Sequence, residues 1–204
     1  MMDAQEATRT LEVIRTLMER TCQYQFLTAR AGLAAGTLAA CGALSFTFLD
    51  AADPRHFGVV WGLVFVGSLL ATVLGTVLRV RERGERVWSR QTRAVVLALM
   101  PSIFAALVLT VFLFSLGLHL WLPGVWMLCY GQGALATSVY APAPIRWLGI
   151  TVLALSGPAL LLGPAAAVWV MGLVFGLGHV WLGGTLLAAE RRQQSALRLH
   201  RTVA

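Results

Sequence analysis

The chain contains no lysine, and none of its nine aspartates and glutamates falls inside an apolar stretch. Charged residues make up only 12% of the 204, whereas soluble domains run near a quarter, and 58% are hydrophobic, so water is not this chain's main solvent. The carboxylates Asp3, Glu6, Glu12, Glu19, Asp50, Asp53, Glu82, Glu85 and Glu190 all lie at ends or between apolar runs. Ion-coupled carriers and proton relays place such groups inside the bundle, so their absence argues against a cation- or proton-driven carrier. Uniport and the passage of apolar molecules stay open. Three cysteines, Cys22, Cys41 and Cys129, are too few and too scattered for a disulfide framework. The serines inside the apolar runs lack a G-x-S-x-G setting, and no phosphate-binding glycine loop, H-E-x-x-H or C-x-x-C occurs. No catalytic residue, metal site or cofactor is therefore predicted.

What the chain does have is segregated. Charges cluster in residues 3 to 30, 79 to 93 and 190 to 201, and uncharged runs at about 31–49, 57–78, 94–118, 124–139, 146–162 and 165–189 fill the gaps. Crossing ~30 Å of hydrocarbon at ~1.5 Å per residue takes about 20 residues. Four runs reach that length, while the fourth and fifth are short and are bounded by Pro123-Gly124, Pro142, Pro144 and Gly163-Pro164. The expected fold is an all-α, polytopic transmembrane helix bundle of about six spans, with residues 1–29 as a cytoplasmic amphipathic helix, 30–190 as the membrane domain and 191–204 as a cytoplasmic tail. Residues 3 to 30 carry several carboxylates, so the first run reads as a retained signal anchor rather than a cleaved leader. With both termini on one side, that side collects fifteen arginines and the other only Arg55. The positive-inside rule then makes it the cytoplasmic side. The same topology accounts for the net charge of +7, and no basic face of a soluble module exists to bind nucleic acid.

Several features invite a function. In the N-terminal segment Asp3 and Glu6 form a capping-box-like start, and Leu11, Ile14 and Met18 recur at helical spacing, giving an apolar stripe that suits the membrane surface, the bundle or a partner protein. The loop carrying Arg79, Arg81, Arg83, Arg86, Arg90 and Arg93 suits anionic lipid headgroups or a docked protein, although topology alone would produce it. Small residues recur at helical spacing: Gly32 and Gly36, Gly58 and Gly62, Gly67, Ala71 and Gly75, and Gly172 and Gly176. Such faces let backbones approach closely, either within the chain or between copies in a homo-oligomer or larger membrane complex, and they point to the first, second and sixth spans as the tight core.

His179, on the last of those stripes, is an intramembrane ionisable group and hence a candidate site; Gln132 and Tyr130, in Tyr130-Gly131-Gln132-Gly133, are the other intramembrane polar candidates. Each reads equally well as interhelical hydrogen bonding. A haem shared by His119 and His179 is disfavoured by depth, since His179 lies roughly 21 Å below the outer end of its span. His56 and His119 share the outer side as two lone surface histidines, weak evidence for a metal. An aromatic-Gly-x-Gly echo, Tyr130 to Gly133 and Phe175 to Gly178, is consistent with a repeated hairpin.

Leu11-Glu12-Val13-Ile14-Arg15-Thr16-Leu17-Met18-Glu19-Arg20-Thr21, with the Gly/Ala-rich first run and Gly176-Leu177-Gly178-His179, resembles a group of uncharacterised bacterial multi-pass membrane proteins. The resemblance implies six spans and a bacterial inner membrane, and brings no activity and no functional residue. Three functions fit the sequence. The expected one is a non-enzymatic subunit or sensor that docks a partner through its N-terminal helix and arginine loop. The second is a small oligomeric transporter or channel with Gln132 and His179 lining a path, and the third an intramembrane enzyme or cofactor protein centred on His179.

Overall fold

The computed structural model describes residues 28–82, 84 and 86–203, and among these every regular element is helical. Six α-helices follow in order: α1 (Ala29–Ser45), α2 (Pro54–Glu82), α3 (Arg90–Ser115), α4 (Leu122–Thr137), α5 (Ala143–Leu161) and α6 (Pro164–Val203), with one short 3-10 turn at His119–Trp121. Four stretches, Pro54–Glu82, Arg90–Ser115, Ala143–Leu161 and Ala165–Arg192, are long and apolar enough to cross a membrane. The other two helices, α1 with 17 residues and α4 with 16, are shorter than all four.

Local chemistry sets the helix ends. The Thr28 hydroxyl accepts the Ala31 N–H at 3.2 Å, and Ser89 does the same for Thr92 at 3.2 Å, each satisfying an amide that the first helical turn leaves free. Asp53 accepts the Arg55 N–H at 2.8 Å while Pro54 takes the first helical position, where its missing N–H costs nothing. At the other end of α3 the chain turns through Gly117 at φ 72°, with Leu118 N–H reaching back to the Leu113 carbonyl at 2.8 Å. That is a Schellman stop, and it needs a residue without Cβ. The predicted tail is not a separate segment. Helix α6 runs on to Val203, because residues 190 to 203 hold neither glycine nor proline to end it.

The helices form an open ring in the spatial order α2, α1, α6, α5, α4, α3, each packed on the next. The tightest pair is α1 with α6. A methyl group placed on Gly36 would lie 2.7 Å from both the Gly176 carbonyl oxygen and the Val180 nitrogen, and one on Gly183 would lie 2.7 Å from the Leu33 nitrogen. Only glycine permits this approach, which yields close packing and Cα–H contacts where lipid removes the hydrophobic drive for pairing. Gly32, Gly172 and Gly176 belong to the same seam. A second seam joins α4 and α5 through Gly124, Gly131 and Gly149.

The ring does not close. Helices α2 and α3 are consecutive in the chain yet hardly touch along their lengths. Phe57, Trp61 and Val80 are the only described residues of α2 that are buried, and Thr92 is the only one of α3. Helix α2 thus packs along its length chiefly on α1, by way of Gly42, Gly67 and Gly75. Gly58 and Gly62, expected at a helix seam, are not in one: a methyl on Gly62 would meet nothing within 4 Å, and one on Gly58 only the Phe114 ring at 3.6 Å. Near the arginine loop, Arg79 of α2 pairs with Glu190 of α6 at 2.5 Å and ties the two arms of the ring together.

Candidate functional site

The gap between α2 and α3 leads into a cavity of about 580 Å³ walled by α1, α2, α3, α4 and α6. Its sides are carbon. Ala35 and Ala39 come from α1, Trp61, Gly62 and Phe65 from α2, Ile103, Ala106 and Phe114 from α3, and Met171 and Phe175 from α6. Among the described residues, no charged side chain lines it. Its volume falls within the ~300–1,000 Å³ of small-molecule sites, and its lining, apolar with a few polar groups, has the usual character of one.

At the end of the ring away from the arginine loop, aromatic rings fill the space beside it. Phe57 sits 5.2 Å from His119 and 5.8 Å from Trp126, centroid to centroid, and Phe114 sits 5.7 Å from His119. His119 is therefore not the surface residue the sequence suggested. It is 5% exposed, and neither ring nitrogen has a partner among the described residues. His56, in contrast, is half-exposed in the first turn of α2, its ring 3.7 Å from the Asp53 carboxylate. Among the described residues, no three His, Cys, Asp or Glu side chains come together as metal ligands.

Tyr130 of α4 and His179 of α6 meet on the cavity wall, with the phenol oxygen 2.7 Å from Nε2. The second imidazole nitrogen, Nδ1, lies 2.9 Å from the Phe175 carbonyl one turn earlier in the same helix. A carbonyl oxygen only accepts, so Nδ1 carries the hydrogen. In the neutral ring Nε2 then presents a lone pair, and the Tyr130 O–H donates to it. The phenol oxygen keeps acceptor capacity and has no donor left to offer. Phe175 also packs edge-on against Tyr130 at 5.0 Å, so the two aromatics of the sequence echo are in contact.

The other polar groups of the cavity divide into spent and free. Trp126 Nε1 donates to the Thr110 hydroxyl at 2.8 Å, which itself donates to the Ala106 carbonyl at 2.6 Å. Ser68 and Ser102, near the middles of α2 and α3, both line the cavity, and no hydrogen bond of either hydroxyl is present among the described residues. The sequence singled out neither as part of a site. Residues 102, 106 and 110 step by four along one side of α3, a signal that was available, but a hydroxyl every two turns is equally common on a packing face.

Of the three intramembrane candidates, the structure brings Tyr130 and His179 together and leaves Gln132 out. Gln132 is exposed, pointing away from the cavity, and does not line a path with His179. The expected docking elements fall differently. Leu11, Ile14, Met18 and Arg83 lie outside the described residues. Arg79 is paired, and Arg81, Arg86, Arg90 and Arg93 are exposed around the loop.

No protein-family model, curated protein or solved structure matches this chain. The resemblance to bacterial multi-pass membrane proteins therefore rests on the sequence patterns alone.

Proposed function

We propose that the protein is a six-span membrane protein that takes an uncharged, largely apolar small molecule from the bilayer and holds it between α2, α3 and the Tyr130–His179 pair. The observation that carries this reading is a cavity of about 580 Å³ with that pair on its wall and its side gap between α2 and α3. In this reading α1 and α4 cross too. Each packs antiparallel along longer neighbours, and small tilts or local thinning accommodate a span one turn short. The arginine asymmetry puts both termini in the cytoplasm, and the resemblance favours a bacterial inner membrane.

The chemistry of the lining selects the ligand. An ion entering a carbon-walled space without a counter-charge would lose several kcal/mol of solvation, so the ligand is neutral. The Tyr130 oxygen offers only an acceptor, so the polar end of the ligand carries a donor, a hydroxyl or an amide N–H. Ser68 and Ser102 supply the remaining hydrogen-bonding capacity. A long-chain or cyclic alcohol fits this pattern, while a fatty acid anion or a phospholipid headgroup does not. In this reading the protein is a carrier or receptor of small lipophilic molecules rather than a docking subunit.

The test uses the full chain in phospholipid nanodiscs and three photoreactive diazirine probes of equal length: a fatty alcohol, its methyl ether and its carboxylate. The expected result is labelling of peptides containing residues 99–114 and 126–130, strongest with the alcohol. Gly62→Phe, which projects a ring into open space in the cavity, should abolish that labelling. Equal labelling by all three probes, unchanged in Gly62→Phe, would overturn the proposal.

A further inference from the structure

On α4, Tyr130 faces the cavity, a methyl on Gly131 would touch the Leu153 backbone of α5, and one on Gly133 would touch Leu99 and Ser102 of α3. These three directions, all within one helical turn, use up the inward side of the helix. Gln132, about 200° around from Tyr130, points outward. Its amide makes no hydrogen bond among the described residues. Its depth follows from its neighbour, since Leu153 lies near the middle of α5, a helix long enough to span. A bare primary amide at mid-bilayer leaves two donors and an acceptor without water or partner, a cost of several kcal/mol.

We propose that the outer face of α4 is a homodimer interface in which the Gln132 amides of two copies hydrogen-bond each other. The occupant follows from symmetry. A twofold axis along the membrane normal puts every residue at the depth of its own copy, so one glutamine per chain supplies both the donor and the acceptor. A different protein would need its own polar group at the same depth. The rest of the face permits close approach, for exposed Leu128 and Ala136 flank Gln132 one turn on either side, and no charge interrupts them. The proposal goes beyond the ligand reading and does not depend on it, because this face lies on the side of α4 opposite the cavity.

The test is single-molecule photobleaching of the full chain, one fluorophore per copy, in liposomes over a range of protein-to-lipid ratios. The wild type should pass from one-step to two-step spots as density rises, and never beyond two. Gln132→Leu should raise the dimer dissociation constant by about 3- to 30-fold, while Gln132→Asn keeps most of the affinity. Because Leu is the better residue for a lipid-facing site, the unfolding temperature of the Gln132→Leu monomer should not fall. As a second readout, Leu128→Cys, in a chain whose three native cysteines are replaced, should form an intermolecular disulfide that Gln132→Leu suppresses. One-step bleaching at every density, a dimer constant indifferent to Gln132→Leu, or association only after another protein is added would each overturn the proposal.

Discussion

The seam between α1 and α6 and the gap between α2 and α3 are built from the same sequence device and end in opposite states. Gly32 and Gly36 on α1, and Gly58 and Gly62 on α2, are both small residues four apart in apolar helices. On α1 the missing side chains are replaced by another backbone, close enough that a methyl on Gly36 would sit 2.7 Å from two main-chain atoms. On α2 no backbone replaces them: a methyl on Gly62 would meet nothing and one on Gly58 only the Phe114 ring, and the space becomes part of the cavity. A small-residue stripe thus states that a backbone can come close; it does not state that one does. What decides is whether a matching stripe stands opposite. Helix α6 brings Gly176 and Gly183 to α1, whereas α3 brings the bulky Ile103, Leu107 and Phe114 towards α2.

That contrast can be broken most severely at Gly36. Gly36→Leu would push against main chain that cannot swing away, so a loss at the upper end of the ~1–3 kcal/mol typical of overpacking is expected, read as a lowered unfolding temperature in detergent. A Gly36→Leu protein as stable as wild type would mean that the seam is looser than described. Next in size is His179→Leu, which leaves the Tyr130 hydroxyl without its acceptor. A cost of about 1–3 kcal/mol is expected, together with weaker labelling by the fatty-alcohol probe. Tyr130→Phe removes the other half of the same bond and strands only an imidazole nitrogen that faces the cavity. Its expected cost is about 0.5–1.5 kcal/mol, and it should erase the preference for alcohol over ether while leaving apolar binding in place.

Smaller effects sharpen the comparison. Arg79→Gln removes the one described ion pair between α2 and α6, in a partly exposed setting, and about 0.2–1 kcal/mol is expected in thermal unfolding, shrinking further at high salt. Smallest of all on stability is Gly62→Phe. Because its Cβ meets open space, unfolding should move by less than about 0.5 kcal/mol while probe labelling disappears. If Gly62→Phe unfolds the protein and Gly36→Leu does not, the assignment of seam and gap is reversed.

Much of this was legible in advance, and the residues show why. Apolar run length, proline–glycine breaks and arginine placement are one-dimensional properties, and they located the six described helices to within a few residues, except at the C-terminal end of α6, which continues through the expected tail to Val203. Tyr130 and His179 stood out because polar groups are rare in these runs. Gln132 was placed on the wrong side, although helical geometry alone separates it from Tyr130 by about 200°. A polar residue in an apolar run suggests an inward partner, and the structure shows it outside. His119 ends an apolar run, the pattern of a surface residue, yet a 3-10 turn folds it back among Phe57 and Phe114. The cavity could not be read at all, since it exists only where five helices fail to fill the space between them.

The sequence by itself determined that this chain is a set of apolar helices separated by charged or turn-forming links, because those properties depend on the solvent each residue meets and on local backbone freedom. It also determined which side chains are scarce enough to matter. Only the tertiary structure decided which glycines close a seam and which open a cavity, that Tyr130 donates to His179, and that Gln132 is left facing outward. Those outcomes depend on what stands opposite each residue, and in a helix bundle the opposite residue comes from far along the chain, at a depth and rotation that no local pattern records.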